Sequence, residues 1–143
     1  LPEGEYTEMN KNKPFLIDFK VIGEPAIGYI SVADFASNHL PFVPKRVYWT
    51  YYTPESVVRG RHAHKATEQI LIAIAGRIVV NLELPNTNEV LVFSLSSPSQ
   101  GLYIPPSSWH TMQYSNHAVQ LVLSSREYDE NDYIRNYQVF KQQ

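Results

Sequence analysis

The sequence contains no cysteine, which removes disulfide scaffolds, thiolate nucleophiles and every zinc or iron–sulfur site built on sulfur. Any metal would have to be held by His, Asp or Glu. Long apolar runs are missing too: the longest stretch, around Ile70 to Ala75, falls far short of the roughly 20 residues of a membrane-spanning helix. The opening residues Leu1-Pro2-Glu3-Gly4-Glu5 have neither the charged nor the apolar region of a signal peptide. The chain is therefore expected to be soluble and cytoplasmic, with no membrane partner. Charge is scarce as well. Charged residues make up 18%, the formal net charge is -2, and no run of like charge forms a tail, so there is no basic footprint for a nucleic-acid backbone.

What is present reads as an ordered β-rich globule. The chain has 143 residues, the usual length of one domain and enough to bury about 70% of its unfolded surface. Hydrophobic residues make up 43% and aromatics 13%, with ten Pro and ten Tyr, a composition that argues against disorder. Residues 1–14 are polar and read as a terminal arm, and 15–143 as a single domain whose edge strand can begin at Phe15-Leu16-Ile17. From Arg46 to Tyr52 the sequence alternates, with Val47, Trp49 and Tyr51 on one face and Arg46, Tyr48, Thr50 and Tyr52 on the other. The runs Arg77 to Leu84 and Glu89 to Leu95 flank Pro85-Asn86-Thr87-Asn88 as an antiparallel hairpin with Ile78, Val80, Leu82 and Leu84 on one face. Shorter apolar runs at Gln69 to Ala75, Gly101 to Ile104 and Val119 to Leu123 complete a strand spacing like that of sandwiches and barrels. One short helix is predicted late, where Asp129 caps a turn through Asp132 that sets Tyr133, Ile134 and Tyr137 along one side. With no long helical period in competition, the fold class is all-β, with edges best managed by a double-sheet jelly roll.

Three of the five histidines fall in two clusters. In Arg59-Gly60-Arg61-His62-Ala63-His64-Lys65, followed by Glu68, residues two apart on a strand point the same way, so His62 and His64 project side by side and Ala63 lies outside. In Gly101-Leu102-Tyr103-Ile104-Pro105-Pro106-Ser107-Ser108-Trp109-His110, a strand ends in a proline turn that presents a further imidazole. His39 and His117 sit among loop residues and read as surface groups. Two packed, hydrogen-bonded core histidines would explain an isolated His-x-His, but Glu68 and His110 weaken that explanation. Three imidazoles and a carboxylate suit a divalent metal, and a neutral imidazole suits a base. Spacing alone does not choose between them.

His-x-His-x3-Glu followed by Gly-x3-Pro-x4-His resembles the motif pair of the cupins. Further stretches narrow the likeness: Lys45-Arg46-Val47-Tyr48, the segment Arg59 to Lys65 with Glu68-Gln69, Gly101-Leu102-Tyr103 leading to Trp109-His110, and the tail Tyr128-Asp129-Glu130-Asn131-Asp132-Tyr133-Ile134-Arg135. From Val43 to Phe140 the chain resembles the sugar-nucleotide 3,4-ketoisomerases, the WxcM-like members of the RmlC-like cupins. This resemblance implies a cupin jelly-roll barrel and interconversion of dTDP-4-keto-6-deoxyglucose with a dTDP-3-keto-6-deoxyhexose in deoxysugar biosynthesis. It implies no metal and no other cofactor, a dTDP-linked keto-deoxysugar as partner, and a homodimer that exchanges an N-terminal strand.

Taking a proton from C3 beside a ketone is uphill by on the order of ten pKa units against imidazolium, or about 14 kcal/mol, so groups aimed at the oxyanion must supply much of the difference. The resemblance implies His62 as base, with His64 or His110 moving the second proton. Arg59 and Arg46 fit the diphosphate and Lys65 adds a point charge. Tyr48, Tyr103 and Trp109 are candidates for a nucleobase platform, and Glu68 for orienting His64. Strict alternation sets Arg59 and His62 on opposite faces, so Gly60 must introduce a bulge if both line one pocket. Two positions bear on stereochemistry. Pro25-Ala26-Ile27-Gly28 stands where relatives carry a polar residue on an early strand, and His110 matches relatives that deliver a galacto-configured product. The alternatives are a metal-dependent cupin using His62, His64, Glu68 and His110, and a sugar-nucleotide-binding protein without catalysis.

Overall fold

Alternating apolar residues and proline turns produce short antiparallel strands that pair into two sheets. The computed structural model describes residues 10–35 and 40–143. Its strands are β1 (Phe15–Asp18), β2 (Lys20–Glu24), β3 (Gly28–Val32), β4 (Arg46–Tyr51), β5 (Arg59–His64), β6 (Gln69–Ala75), β7 (Ile78–Glu83), β8 (Val90–Leu95), β9 (Gln100–Ile104), β10 (Trp109–Tyr114), β11 (Val119–Ser124) and β12 (Tyr133–Ile134), followed by helix α1 (Tyr137–Lys141). One five-stranded sheet runs β1-β9-β6-β11-β4, the other β12-β5-β10-β7-β8, and β2 and β3 form a separate hairpin. This is the jelly-roll arrangement expected. The edge strand at Phe15 and the β7–β8 hairpin form as read, with Ile78, Val80, Leu82 and Leu84 all buried.

The core between the sheets is filled by inward residues of both, including Leu71, Val80, Leu82, Leu102, Ile104 and Val122. A second cluster covers the outer face of the first sheet with Ile17, Phe19, Phe42, Ile70, Ile72 and Tyr103. A third lies behind the second sheet, where Phe140 and Ile134 pack on Ala63. Ala63, expected to face outward, is completely buried under this cover.

The alternation read on β4 is present: Val47, Trp49 and Tyr51 form the exposed face, Trp49 by 61%, and Arg46, Tyr48 and Thr50 the half-buried side. The polar side chains turn inward because that end of the barrel is a polar site. One expectation needs correction: the late helix is split. Asp129 caps a single 3-10 turn, Glu130–Asp132, by accepting from the Asn131 N–H, and Tyr133–Ile134 then pair with β5 instead of continuing as helix. Asn136 restarts the chain as α1 by accepting from the Val139 N–H.

Of the predicted arm, 1–9 lie outside the described residues, as does His39. Asn10–Asn12 form a 3-10 turn, and Lys11 donates to the Pro41 carbonyl at 3.0 Å. His117 is exposed in a turn with positive φ. No helix among the described residues is long and apolar enough to cross a membrane.

Candidate active site

His62, His64 and His110 converge. His62 pairs with His110 across β5 and β10, and the ring centroids lie 4.6 Å apart for His62–His110, 5.1 Å for His62–His64 and 6.0 Å for His64–His110. The bulge demanded by the sequence is present. Met112 opposes Arg59, Thr111 opposes Gly60 and His110 opposes His62, leaving Arg61 as the extra residue. Partners across a ladder share a facing, so Arg59 and His62 both follow the side of Met112 and His110; Arg59 at the strand's start and the bulged Arg61 are both exposed, whereas His62 is half-buried. Gly60 and Arg61 both have positive φ, of 85° and 61°. A Cβ on Gly60 would lie 2.7 Å from the His110 carbonyl oxygen, so only glycine permits this close crossing.

Each ring of the trio is fixed from behind. His62 Nδ1 is 3.1 Å from the Gly60 carbonyl, His110 Nδ1 is 3.0 Å from the Ser108 carbonyl, and His64 Nδ1 is 3.2 Å from Asp132 Oδ2. A carbonyl or carboxylate can only accept, so each Nδ1 carries the proton and each Nε2 presents a bare lone pair. Burial is the largest cause lowering their pKa values, to about 4 for His62 and His64 and about 3 for His110. Neighbouring imidazoles push the same way, and for His64 the carboxylate of Asp132 pulls back. All three are therefore neutral at pH 7.

Asp132, only 7% exposed, was not singled out from the sequence. It accepts from the Ala66 N–H at 2.8 Å and from the Thr67 hydroxyl, and these bonds, together with His64, outweigh burial and keep its carboxyl below the usual range. The signal available was its place in the tail, although 68 positions separate it from His64. Tyr133 was likewise missed as a wall of the site: its ring lies 4.4 Å from His64 and 5.2 Å from His62, with Arg135 over its other side at 4.2 Å. Glu130 anchors Arg135 through contacts of 2.6 and 3.0 Å.

The remaining expected site residues divide. Tyr48 faces inward, and its hydroxyl accepts from Gln69 Nε2 at 3.0 Å, which leaves its own proton to donate elsewhere. Arg46 lies 5.5 Å from the Tyr48 ring and 5.6 Å from the Tyr128 ring, and its charge helps lower the pKa of His64. Arg59 acts on Tyr48 and Tyr114. Among the described residues, only Arg46 Nε, His64 Nε2 and Ser108 Oγ are buried side-chain polar atoms without a hydrogen-bond partner.

Four expected residues stand apart from the trio: strand alternation turns Tyr103 and Trp109 away, and Glu68 and Lys65 lie in the connection between β5 and β6. Tyr103 is completely buried on the outer face of the first sheet, stacked on Phe15 at 4.6 Å, and so offers no platform. Glu68 does not orient His64; it accepts from the Tyr103 hydroxyl at 2.8 Å and pairs with Lys11 at 2.7 Å. Asp132 holds that role. A four-ligand set including Glu68 is accordingly not assembled. Trp109 faces away from His110 and packs on Tyr137 and Phe140. Lys65 lines a cleft with Glu130, Arg135 and Val139 that shares Tyr133 with the site.

Comparison with known proteins finds relatives in both sequence and fold. The family model "FdtA: WxcM-like, C-terminal" matches residues 12–143. A TDP-4-oxo-6-deoxy-alpha-D-glucose-3,4-oxoisomerase of Aneurinibacillus thermoaerophilus is 39% identical over 127 residues, 88% of each chain. QdtA, a sugar 3,4-ketoisomerase of Thermoanaerobacterium thermosaccharolyticum solved with TDP, superposes with a TM-score of 0.84 at 37% identity, covering 90% of this chain and 92% of that one. A dTDP-4-dehydrorhamnose 3,5-epimerase of Bacillus anthracis shares the fold at 14% identity and a TM-score of 0.71, over 92% of this chain and 79% of that one.

Proposed function

The chain belongs to the WxcM-like FdtA family, and from that premise we propose that it is a sugar-nucleotide 3,4-ketoisomerase acting on dTDP-4-keto-6-deoxyglucose. The observation that carries the reading is the convergence of His62, His64 and His110, one ring nitrogen of each within 4.8 Å of the others, with a carboxylate behind His64. His64 takes the C3 proton. The sequence favoured His62, but the imidazolium formed in a buried barrel needs a countercharge, and only His64 has Asp132 at its back. As the proton moves, imidazolium and enediolate form together, so the site as a whole gains no net charge. His64 then delivers the same proton to C4.

Moving the carbonyl also transfers a hydroxyl proton from O3 to O4. His62, at the half-buried mouth with a bare Nε2, relays it, while the Tyr48 hydroxyl donates to the developing oxyanion. His110, 1% exposed, forms the floor beneath both. Arg46 and Arg59 hold the diphosphate at the entrance. An unpartnered buried donor costs about 1–3 kcal/mol, and a phosphate oxygen would satisfy Arg46 Nε. The protein reacts as a homodimer. In support, the β2–β3 hairpin exposes Val21, Ile22, Tyr29 and Ile30, the turn residue Ile27 is 79% exposed, and the outer face of β4 is apolar and open. An isolated two-stranded hairpin is marginal in water, and a second copy would cover it.

Incubation with the thymidine-linked 4-keto sugar in deuterated buffer is expected to give the 3-keto isomer with deuterium exchange at C3. Absence of both exchange and isomer would defeat the proposal. Light scattering on a gel-filtration column is expected to give twice the chain mass, and a monomer at micromolar concentration would refute the dimer.

A further inference from the structure

Glu68 closes the His-x-His-x3-Glu motif, yet its neighbours in the β5–β6 connection, not its own carboxylate, reach the site. On one side the Lys65 N–H donates to the Asp132 carbonyl at 2.8 Å, the Ala66 N–H to Asp132 Oδ1 at 2.8 Å and the Thr67 hydroxyl to Asp132 Oδ2. On the other side Gln69 Nε2 donates to the Tyr48 hydroxyl at 3.0 Å and to Ser124 Oγ at 3.3 Å. Residues two apart on an extended chain share a face, and Thr67 and Gln69 are both buried, whereas Glu68 between them turns to the outer cluster of the first sheet. There its Oε1 accepts from the Tyr103 hydroxyl at 2.8 Å and from Lys11 Nζ at 2.7 Å. We propose that Glu68 is a positioning residue: by pinning the β5–β6 connection to Tyr103 and to the N-terminal turn, it sets Asp132 and Tyr48, and so aligns His64 without touching it.

The connection is short. Residues 65–68 alone join β5 to β6, so a displacement of Glu68 passes directly to Thr67 and Gln69. The backbone of Glu68 is fastened to Ser125, whose Oγ accepts from the Glu68 N–H at 2.8 Å and whose N–H donates to the Glu68 carbonyl at 2.9 Å. Its carboxylate adds the attachment that fixes the angle at which Thr67 and Gln69 enter the barrel. Groups held this way keep a site aligned only as well as their supports are held.

Both partners of the carboxylate are themselves anchored. Tyr103 is completely buried and stacks on Phe15, and Lys11 also donates to the Pro41 carbonyl at 3.0 Å. The ion pair is partly shielded, with side-chain exposures of 24% for Lys11 and 19% for Glu68, so salt and water screen it less than a pair in open solvent. The N-terminal turn is thereby coupled to the proton-transfer groups through one side chain. The effect on rate rests on the isomerase reading, whereas the hold on Asp132 does not.

The test compares Glu68→Ala, Glu68→Gln and Lys11→Met with the parent, all as the full chain. Misplacing reacting groups by about 1 Å costs up to about 10²-fold, so kcat for the 3-keto product is expected to fall about 10–100-fold in Glu68→Ala. The fall should be smaller in Glu68→Gln, which keeps an acceptor for Tyr103, and in Lys11→Met, which keeps Tyr103 on the carboxylate. Thymidine diphosphate affinity should stay unchanged in all three, and Lys13→Met, which removes an exposed cation nearby, should leave kcat as it is. Nitrogen-15 spectra of the unliganded protein at pH 7 give a readout free of turnover. His64 is expected as the Nδ1–H tautomer alone in the parent and as a tautomer mixture in Glu68→Ala, with His110, held by the Ser108 carbonyl instead, unchanged. Parent-like kcat in folded Glu68→Ala, a kcat loss matched by an equal loss of nucleotide affinity, or a pure Nδ1–H tautomer in that variant would overturn the proposal. Should Glu68→Ala not fold, parent-like kcat and tautomers in both Glu68→Gln and Lys11→Met would overturn it. A parent without C3 exchange defeats the isomerase reading instead, and the tautomer ratio then decides the hold on Asp132 by itself.

Discussion

Asp132→Asn changes a charge while keeping the shape of the side chain, which makes it the sharpest probe of how His64 works. Before reaction the pair is neutral imidazole against carboxylate at 3.2 Å. Once His64 holds the sugar proton the pair is doubly charged, and at an effective dielectric constant of about 20 unit charges at that distance attract by about 5 kcal/mol. An amide in the same place keeps a hydrogen bond worth about 1–2 kcal/mol. The barrier should therefore rise by roughly 3–4 kcal/mol, a fall of about 10²–10³ in kcat. Thymidine diphosphate affinity should change little, because Asp132 is nearly buried and lies behind the ring. Single-turnover formation of the 3-keto product, paired with nucleotide binding by calorimetry, measures both. A variant that melts like the parent and turns over within tenfold of it would show that His64 does not carry the proton.

Acidity should act on rate and stability alike. With His62 and His64 titrating at about 4 in the folded protein, kcat/KM should be flat from pH 6 to 8 and fall on acidification with a midpoint near 4; a midpoint near 6.5 would refute neutral, buried bases. Each imidazole binds its proton more weakly folded than unfolded, so its contribution to stability is present above pH 6.5 and is lost as pH falls toward 4, or toward 3 for His110. His110 alone should lose on the order of 3 kcal/mol between pH 7 and pH 4.5, and an unchanged melting temperature across that range would contradict it. Gly60→Ala should destabilise by about 1–3 kcal/mol through its positive φ and also cut activity by turning Arg59 away from His62; a parent-like Tm by calorimetry would remove the argument for the bulge. Gln69→Glu replaces the amide donor on Tyr48 with an acceptor that captures the phenol proton, so kcat should fall at least tenfold, about 1.4 kcal/mol, with KM little changed; full activity in the assay for 3-keto product would show that Tyr48 donates nothing.

Alternation and turn chemistry made the strands, the β7–β8 hairpin and the His62–His64 pairing readable directly, since each depends on neighbours in sequence. The need for a bulge at Gly60 was readable too, because two functional residues three apart cannot share a face of a regular strand. The orientation of β4 was harder. Its alternation was plain, but which side faces inward depends on what the interior is for, and a polar site draws Arg46 and Tyr48 in while leaving Trp49 outside. Tyr103 and Trp109 were named for chemistry that suits a nucleotide, yet alternation against Leu102 and His110 turns each outward. Asp132 and Tyr133 belong to a segment that reaches the trio only through β12 pairing with β5, and no local periodicity encodes that contact. Composition likewise made the late helix look continuous, although β12 interrupts it.

Phe140 presses against Ala63 from behind, directly between the two imidazoles of β5. Helix α1 thus serves as a mechanical backstop for the proton-transfer groups. Substitutions in α1 that shrink Phe140 therefore act on chemistry at a distance, by loosening the strand that aims those rings. The loop joining β7 and β8 leans on the same helix, where Lys141 Nζ donates to the Thr87 carbonyl at 3.4 Å, so a label intended to be silent belongs on neither.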